Sequence, residues 1–475
     1  MKRADTIETF TQSFSKERNM FGKIKKLFFV GIGGAGMSGI AEILHNLGYE
    51  ISGSDNTPSE ITEYLSNLGV KIYNSHLASN LNDTEVVVIT SAVGEENPEV
   101  VEARRLGIPV IKRAEMLGEL MRLKFSIGVS GTHGKTTTTS MIGKIMQLGK
   151  YEPTLIVGGI VSGLGTGSAL GGSQYLVAEA DEYDKSFLSM FPSMAVVTNI
   201  EPDHLDCYDG EEDLLNSFVS YMNRVPFYGQ VVISADDENL QKIKHLIKRP
   251  FTTFGFSIDA DYRALNIEMV EGRTTFAVYK RGDLLGEIIL KVPGEFNILN
   301  ALAAVASCSE LDIPFEIIAD GLLEFRGVSR RFEFIGTEKG VTVVDDYAHH
   351  PSEIKVTLET AQNIYDKRLI VIYQPHLYSR TRDFKEDFIQ ALSIADKVLL
   401  VDIYPAREEP IPGVTSEQLV IDAQAKGFKQ FQYIGNRNNA PKIISEMAQE
   451  NDLVITMGAG SITLEKQNIL NELKK

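Results

Sequence analysis

The sequence predicts an α/β protein with three domains, each built on a mainly parallel sheet. Short apolar runs alternate along the chain with segments of helical periodicity, which is the order of elements typical of parallel α/β architecture. Two of these runs lead through a glycine-rich loop directly into a helical segment. The length of 475 residues corresponds to three domains at ~150 residues each.

Composition narrows the class of protein. The net charge of −17 argues against a nucleic-acid partner, because phosphate backbones are bound by clustered Lys and Arg. No apolar run approaches the ~18 residues of a membrane-spanning helix, so no membrane partner is expected. Residues 1–22 lack the apolar core of a signal peptide, and we expect an N-terminal extension on a cytoplasmic protein. Cys207 and Cys308 are predicted to be reduced structural thiols.

The first predicted strand, Leu27–Val30, is followed by a glycine-rich loop and a helix that ends near Leu47. The loop reads Gly31-Ile-Gly33-Gly34-Ala35-Gly36-Met37-Ser38-Gly39. Its glycines permit a tight turn and let the backbone approach a diphosphate at the positive end of the helix. Asp55 follows the next predicted strand, Glu50–Ser52, and is placed to bind a ribose hydroxyl; Val86–Thr90 is a further strand. Taken alone, this pattern also fits an NAD-dependent dehydrogenase.

A second glycine-rich loop follows the predicted strand Phe125–Val129 and opens a threonine-rich helix. The loop reads Gly131-Thr132-His133-Gly134-Lys135-Thr136-Thr137. In a phosphate-binding loop, backbone N–H groups hold phosphates, Lys135 reaches the β and γ oxygens, and the Thr136 hydroxyl binds Mg²⁺. The strict pattern would place its first glycine at Val129, whereas Gly128 lies one residue earlier. We expect Lys135 to contact only the bound nucleotide, and a dehydrogenase does not need such a loop.

Polar and acidic side chains follow the next two predicted strands. Glu179 comes directly after Tyr175–Ala178, and His204 lies in the polar segment after Ala195–Thr198. Because ligands bind at the carboxyl ends of parallel strands, we expect both segments to face Lys135. Mg²⁺ prefers oxygen ligands, so Glu179 is the first choice of ligand, while His204 is either a ligand or a hydrogen-bonding residue.

The region between the second and third blocks has two features. Residues 262–292 alternate in the way expected of antiparallel hairpins. Asn297 and Asn300 are spaced i, i+3 on a predicted helix, so both amides share a face that could read an adenine edge. Helix capping by one of the two explains the spacing equally well.

A third block begins near residue 327. Its strands are predicted at Val341–Val344, Leu369–Ile372, Val398–Val401 and Leu453–Thr456. Asp346, His349 and His350 follow the first of these strands, and His376 and Arg380 follow the second. Two polar clusters at neighbouring strand ends indicate a functional site rather than ordinary loop polarity.

Together these motifs resemble the Mur ligases of peptidoglycan synthesis over nearly the whole chain after the extension. The resemblance is carried by the two glycine-rich loops, Glu179-Ala-Asp-Glu182, Asn199 with Asp203-His204, Asn297-Ile-Leu-Asn300, Arg330-Arg-Phe, Asp345-Asp-Tyr-Ala-His349-His350-Pro and Gln374-Pro-His376-Leu-Tyr-Ser-Arg380-Thr. It implies a Rossmann-like UDP-sugar-binding domain over residues 23–122, a central P-loop ATPase domain over residues 123–326 and a Rossmann-like amino-acid-binding domain over residues 327–475.

The resemblance also implies roles for individual residues. The UDP-sugar would be bound by Gly31, Gly33, Gly34, Ala35, Gly36, Met37, Ser38, Asp55 and His76. ATP would be bound by Gly131, Thr132, His133, Gly134, Lys135, Thr136, Thr137, Asn297, Asn300, Arg330 and Asp346. Mg²⁺ would be bound by Thr136, Glu179 and His204, and the amino acid by His376 and Arg380. Catalysis would depend on Lys135, His204, His349, His350 and Arg380, with a histidine of the third block taking the amine proton.

The activity implied is ATP-dependent ligation of L-alanine to the lactyl carboxylate of UDP-N-acetylmuramate through an acyl phosphate, by a monomer or homodimer. Tyr183 and Ala348 instead match a family member that recycles muropeptides by attaching a tripeptide to the same sugar nucleotide. Leu377 stands where many members that use alanine have an arginine, which weakens one expected substrate contact. A nucleotide-sensing regulatory protein is a further alternative, and it would not need the His and Arg clusters.

Overall fold

The computed structural model describes residues 21–90, 93–158, 168–202, 207–270, 273–406 and 408–475. Within these ranges the chain forms three sheets joined by helices, which confirms the predicted α/β class. The chain divides into two compact units. The first unit contains the chain up to Leu265 with Val278–Gly286 and Leu299–Leu322, and the second contains Asn266–Ala277, Glu287–Ile298 and Leu323–Lys475.

The first sheet has five parallel strands. They are β1 (Lys26–Val30), β2 (Glu50–Ser54), β3 (Lys71–Tyr73), β4 (Val86–Ile89) and β5 (Val110–Lys112). Its helices are α1 (Ala35–Asn46), α2 (Glu60–Asn67), α3 (Pro98–Leu106) and α4 (Arg113–Arg122). The strand order β3-β2-β1-β4-β5 reverses between β1 and β4. Doubly wound sheets bind their ligands at such a reversal, and the first glycine-rich loop follows β1 at this point.

The central sheet has ten strands in the order β15-β14-β13-β12-β11-β10-β6-β9-β7-β8. They are β6 (Phe125–Ser130), β7 (Thr154–Ile156), β8 (Ser168–Ala169), β9 (Tyr175–Glu179), β10 (Met194–Val197), β11 (Gln230–Ser234), β12 (Phe251–Gly255), β13 (Tyr262–Val270), β14 (Arg273–Lys280) and β15 (Asp283–Leu290). Its helices are α5 (Lys135–Leu148), α6 (Glu211–Asn223), α7 (Glu238–Ile243), α8 (Glu295–Ser309) and α9 (Phe315–Glu324). Strand β6 pairs in parallel with β9 on one side and β10 on the other, so the segments after all three strands meet at one edge.

The third sheet has six strands in the order β16-β17-β21-β18-β19-β20, all parallel except β16 at the edge. They are β16 (Glu333–Glu338), β17 (Val341–Asp346), β18 (Arg368–Tyr373), β19 (Lys397–Val401), β20 (Phe431–Gly435) and β21 (Asp452–Met457). Its helices are α10 (Pro351–Ile364), α11 (Tyr378–Asp383), α12 (Lys385–Leu392), α13 (Ser416–Ala425), α14 (Ala440–Met447) and α15 (Lys466–Lys474). The polar clusters predicted after β17 and β18 therefore leave the same sheet.

Helix α4 joins the first sheet to the central sheet within the first unit. Met116 of this helix belongs to the same buried core as Phe187 and Met190, which follow β9. A Cβ on Gly118 would lie 2.1 Å from the carbonyl oxygen of Ser189, so this close approach requires glycine. The two sheets consequently share one apolar core.

The predicted strands agree with the structure to within about two residues at each end, and each sheet lies inside one predicted domain range. The domain boundaries themselves stay predictions. Short or peripheral strands such as β3, β5 and β7 were not predicted, because a run of three residues carries little periodicity. Among the described residues, none of the helices has the length and apolar character needed to cross a bilayer.

Candidate functional site

The loop between β6 and α5 requires glycine at two positions. Gly131 and Gly134 have φ angles of +133° and +84°, in the region that favours glycine. A Cβ on Gly131 would lie 2.1 Å from Oγ1 of Thr198, and a Cβ on Gly134 would lie 2.3 Å from Oδ1 of Asn300. The loop is therefore enclosed on two sides and leads into α5 at Lys135, as a phosphate-binding loop requires.

The segment after β10 holds this loop in place. Asn199 accepts a hydrogen bond from the His133 backbone N–H at 2.9 Å and donates its Nδ2 to the His133 carbonyl at 3.0 Å. The Thr132 hydroxyl accepts from the Glu201 backbone N–H at 2.8 Å and donates to the Glu201 carbonyl at 3.2 Å. Thr136 and Thr137 lie in the first turn of α5. The predicted phosphate-binding loop is thus held in one conformation by hydrogen bonds to the segment after β10.

Lys135 is held by protein oxygens. Its Nζ donates to the carboxylate of Glu182 at 2.7 and 2.9 Å, to the Gly131 carbonyl at 2.7 Å and to the Thr132 carbonyl at 3.2 Å. Burial by itself lowers the pKa of Lys135, but the nearby carboxylates of Glu182 and Asp181 outweigh it, and the pKa lies above its ordinary value. The expectation that Lys135 contacts only a nucleotide is therefore wrong: the lysine is one half of a buried ion pair.

Glu179 lies beside Thr136, and the two suit a divalent cation. Burial raises the pKa of the Glu179 carboxyl, while hydrogen bonds from the Thr136 hydroxyl and the Gly158 N–H lower it. Oε1 of Glu179 is buried without a hydrogen-bond partner among the described residues. A carboxylate oxygen and a hydroxyl next to a phosphate loop fit the oxygen preference of Mg²⁺. In the described part of the chain, no group of three or more His, Cys, Asp or Glu side chains is arranged to hold a metal ion by itself, and His204 lies outside the described part.

Asn297 and Asn300 are both on α8, as predicted. Oδ1 of Asn300 accepts a hydrogen bond from the Thr138 hydroxyl at 3.2 Å, so its amide is fixed against the phosphate-binding loop. Nδ2 of Asn297 donates to the carbonyl of Pro293 at 2.5 Å, at the start of the same helix. The two amides thus have separate structural partners, and adenine recognition by this pair stays a prediction.

The conformation of the first glycine-rich loop is stabilised by a hydrogen bond to the carboxylate of Asp55. Gly31 has a φ angle of +78°, and the Gly33 N–H donates to Oδ2 of Asp55 at 2.9 Å. Oδ1 of Asp55 accepts the Thr57 N–H at 3.0 Å. Gly34 caps α1, whose first turn contains Ala35, Gly36, Met37 and Ser38. Asp55 therefore shapes the loop, and contact with a ribose remains a prediction.

Arg113 belongs to this site and was missed by sequence reasoning. Its Nη1 lies 2.9 Å from the position that a Cβ on Gly36 would occupy, so the guanidinium lies against the first turn of α1. Arg113 is the first residue of α4, directly after β5. A guanidinium beside a glycine-rich helix start suits a diphosphate. The available signal was a basic residue at the end of β5, but that strand was too short to predict.

His76 is positioned by a buried carboxylate. Its Nδ1 lies 3.1 Å from Oε2 of Glu99 and 2.8 Å from the Ser54 hydroxyl. Glu99 is fully buried, and its other oxygen accepts from Asn80 at 2.7 Å. Nε2 of His76 has no protein partner in the described chain, so this nitrogen is available to a ligand at the ends of β2 and β3. Glu99 and Ser54 were not singled out from the sequence.

The last residue of β17 and a residue just before β16 belong to a buried polar network in the second unit. Asp346 accepts the backbone N–H groups of Phe332 and Ala348, each at 2.7 Å, and burial raises its pKa to about 6. Arg330 donates to the carbonyls of Gly458 at 2.6 Å and Gly460 at 3.2 Å. Both residues therefore order the backbone around the sheet edge, and their contact with ATP stays a prediction.

The histidines and the arginine predicted to handle the amino acid lie in the same unit. The rings of His349 and His376 are 6.1 Å apart, and His350 caps α10. Burial lowers the pKa of His376 to about 4, with smaller contributions from His349 and Arg380. Nδ1 of His376, Nη1 of Arg380 and the Tyr373 hydroxyl are buried and lack hydrogen-bond partners among the described residues. Such groups call for a polar ligand or water. Tyr373 was not singled out from the sequence.

Sequence comparison assigns all three parts of the chain to one family. Residues 26–125 match the Mur ligase family catalytic domain, residues 129–308 the Mur ligase middle domain, and residues 330–460 the Mur ligase glutamate ligase domain. The alternative of an NAD-dependent dehydrogenase is therefore wrong.

Individual relatives agree with this assignment. The UDP-N-acetylmuramate–L-alanine ligase of Geotalea daltonii is 48% identical over 96% of this chain and 100% of its own length. The ligase of the same name from Geobacter sulfurreducens is 47% identical over 96% and 99%. The crystal structure of the UDP-N-acetylmuramate-alanine ligase of Thermotoga maritima superposes with a TM-score of 0.81, at 30% identity, covering 94% of this chain and 99% of that one. The chain belongs to the Mur ligase family.

Proposed function

We propose that this chain ligates L-alanine to the lactyl carboxylate of UDP-N-acetylmuramate at the expense of ATP, releasing ADP and phosphate. The reaction would supply a peptidoglycan precursor in the cytoplasm, and with it cell-wall growth, cell shape and division. The structural observation that carries the proposal is the grouping of a phosphate-binding loop, Lys135 and Glu179 at one edge of the central sheet. Relatives of 47–48% identity over almost the whole chain support the choice of substrates.

The chemistry explains the need for ATP. A carboxylate is a poor electrophile, because its oxygen would have to leave as oxide. In the first step a carboxylate oxygen bonds to the γ-phosphorus of ATP while the bond from that phosphorus to the β,γ-bridging oxygen breaks, giving an acyl phosphate and ADP. In the second step the neutral amine of alanine attacks the acyl carbon, the bond to the phosphate oxygen breaks, and the amine proton passes to a base.

The first unit is suited to the phosphoryl transfer. Lys135 would offset the charge that accumulates between two anionic reactants. Mg²⁺, when bound, neutralises phosphate charge, and Thr136 and Glu179 would hold it, with His204 as a further candidate. Arg113 and the backbone N–H groups of the first glycine-rich loop would bind the diphosphate of the sugar nucleotide, with His76 and Asp55 nearby.

The second unit is suited to the amino acid. Arg380 would hold the carboxylate of alanine, because a planar guanidinium can grip it at two points. Its buried Nη1 and the neighbouring Tyr373 hydroxyl are the atoms available to do so. His376 is neutral at physiological pH because of its low pKa, so it can accept a hydrogen bond from the amine without repelling it. His349 or His350 would then take the proton.

A phosphate-release assay tests the proposal. With ATP, Mg²⁺ and UDP-N-acetylmuramate present, L-alanine, glycine, L-serine and a muropeptide tripeptide are added separately. We expect phosphate release to require the sugar nucleotide and to be fastest with L-alanine. Faster turnover with the tripeptide would favour the recycling reaction that Tyr183 and Ala348 resemble. Phosphate release independent of both co-substrates would favour a nucleotide-binding regulator.

Replacing Lys135 should remove turnover and also lower stability. Lys135→Ala is expected to reduce turnover by on the order of 10³-fold, as for other groups that stabilise a transferring phosphoryl group. It also leaves Glu182 buried without its cation, a change that costs roughly 3 kcal/mol of unfolding free energy. Lys135→Met combined with Glu182→Gln should recover stability but not turnover. The control is Lys242→Ala, an exposed lysine that bonds to Asn239. Turnover of Lys135→Ala within a few-fold of the parent would remove this lysine from the mechanism.

His376 should make the folded state less stable in acid. Between about pH 6.5 and pH 4 the unfolded chain binds a proton at this ring that the folded chain does not, so unfolding becomes easier as the pH falls through that window. His376→Gln removes this dependence. We therefore expect urea unfolding to show that the free energy of unfolding of the variant, relative to that of the parent, is higher at pH 4.5 than at pH 7.5 by on the order of 2 kcal/mol. An equal difference at both pH values would show that His376 titrates normally.

Arg380→Lys should separate amino-acid binding from loop anchoring. The substitution keeps the charge but loses the two-point grip, so the KM for alanine should rise on the order of tenfold while the KM for ATP changes little. Arg382→Lys on the same helix is the control, because Arg382 is exposed and pairs with Asp383. Steady-state kinetics with each substrate varied in turn measure the effect. An unchanged KM for alanine alongside shifts in the other two would contradict the assignment.

A further inference from the structure

The ammonium group of Lys135 already has a full set of acceptors. An ammonium has three N–H donors. Those of Lys135 are directed at the carbonyls of Gly131 and Thr132 and at both carboxylate oxygens of Glu182, the last at 2.7 and 2.9 Å. A phosphate oxygen that binds Lys135 must therefore replace one of these partners. Glu182 is the only anion among these partners. Its carboxylate and a phosphate group would therefore compete for the same ammonium group.

The position of Glu182 is fixed by burial of its side chain and by hydrogen bonds to its backbone. Its side chain is 2% exposed, and its carbonyl accepts from the Tyr208 hydroxyl and from the Lys185 N–H. The next turn holds Asp184 and Lys185 at φ angles of +52° and +53°, a conformation that non-glycine residues rarely adopt. Nζ of Lys185 bonds to Asp213 on α6 at 2.6 Å, which anchors the turn. The chain thus maintains backbone strain directly beside the residue that pairs with Lys135, a feature that clusters at functional sites.

Asp181 is a natural comparison for Glu182. It is the residue directly before Glu182 and is also acidic, but its carboxylate lies 4.0 Å from Nζ of Lys135 and is 42% exposed. An exposed charge at that distance is screened by water, whereas a buried bidentate pair is not. Any effect that depends on the ion pair itself should therefore follow Glu182 and not Asp181.

We propose that Glu182 is an internal competitor for the phosphate groups of ATP, which must displace its carboxylate from Lys135 in order to bind. The pair holds the ammonium group of Lys135 at a fixed position in a buried site. It also makes ATP binding weaker than the loop alone would give, since part of the binding energy goes into separating the pair. Glu182 is a positioning residue that acts through Lys135. The inference rests on phosphate binding by this loop and not on the identity of the reaction.

Direct ATP binding to the full chain tests the inference without any other substrate. Isothermal titration with ATP and Mg²⁺ compares the parent with Glu182→Gln and with the matched control Asp181→Asn. Glu182→Gln should bind ATP on the order of tenfold more tightly, since a hydrogen-bonded charge no longer has to be displaced. Asp181→Asn should change the affinity by less than about threefold. In thermal unfolding, ATP should raise the Tm of Glu182→Gln more than that of the parent.

Three results would overturn the inference: equal or weaker ATP binding by Glu182→Gln, equal tightening by Asp181→Asn, or an equal Tm rise in variant and parent. Should Glu182→Gln not fold, Glu182→Asp carries the same test, because a shorter carboxylate weakens the pair while keeping its charge. Its affinity should rise by a few-fold, and an unchanged affinity would contradict the inference. Absence of ligation by the parent chain would count against the proposed reaction, and it would leave this comparison of ATP affinities unaffected because the comparison uses no other substrate.

Discussion

The parallel pairing of β9, β6 and β10 is the constraint on which the nucleotide site depends. Parallel strands end at the same edge of a sheet, so Glu179, the phosphate-binding loop and the Asn199 segment are brought together whatever their separation in sequence. The contact is close enough that Gly131 and Gly134 cannot carry a side chain, because Thr198 and Asn300 occupy the space. A single topological feature thus places the loop, its supports and its candidate metal ligands.

Much of this arrangement could be predicted, because it follows from rules that act along the chain. Strand–loop–helix patterns located both glycine-rich loops, and the rule for strand ends correctly predicted that Glu179 faces the loop at Lys135. Contacts between distant segments could not be predicted in the same way. Arg113 reaches Gly36 from the first turn of α4, which follows a strand of only three residues, and the Glu99 partner of His76 lies on a helix that carries no motif. Such pairs depend on side-chain packing, which leaves no periodic signal in one sequence.

Two buried carboxyl groups in this protein are matched to specific donors. Glu99 has Ser54, His76 and Asn80, and Asp345 has Thr456, Thr463 and Lys466. Removing a carboxylate from water costs several kcal/mol, which direct hydrogen bonds only partly offset, so such groups contribute more to a defined geometry than to stability. Glu99 fixes His76 in the first unit, and Asp345 fixes three side chains beside Arg330 in the second. Both are places where a ligand is proposed to bind, so precise geometry is worth this cost.

The pKa values of Lys135 in the first unit and His376 in the second are shifted in opposite directions. Each shift suits the reactant that we propose for that unit. In the first unit, Glu182 and Asp181 raise the pKa of Lys135, which keeps it a cation for anionic phosphates. In the second unit, burial lowers the pKa of His376 to about 4, with smaller contributions from His349 and Arg380, which keeps its ring neutral for its proposed contact with the amine of alanine. If the environments were exchanged, a neutral lysine could not offset phosphate charge and a charged imidazole would repel a protonated amine. The electrostatic difference between the units therefore matches the two different steps proposed for the ligation.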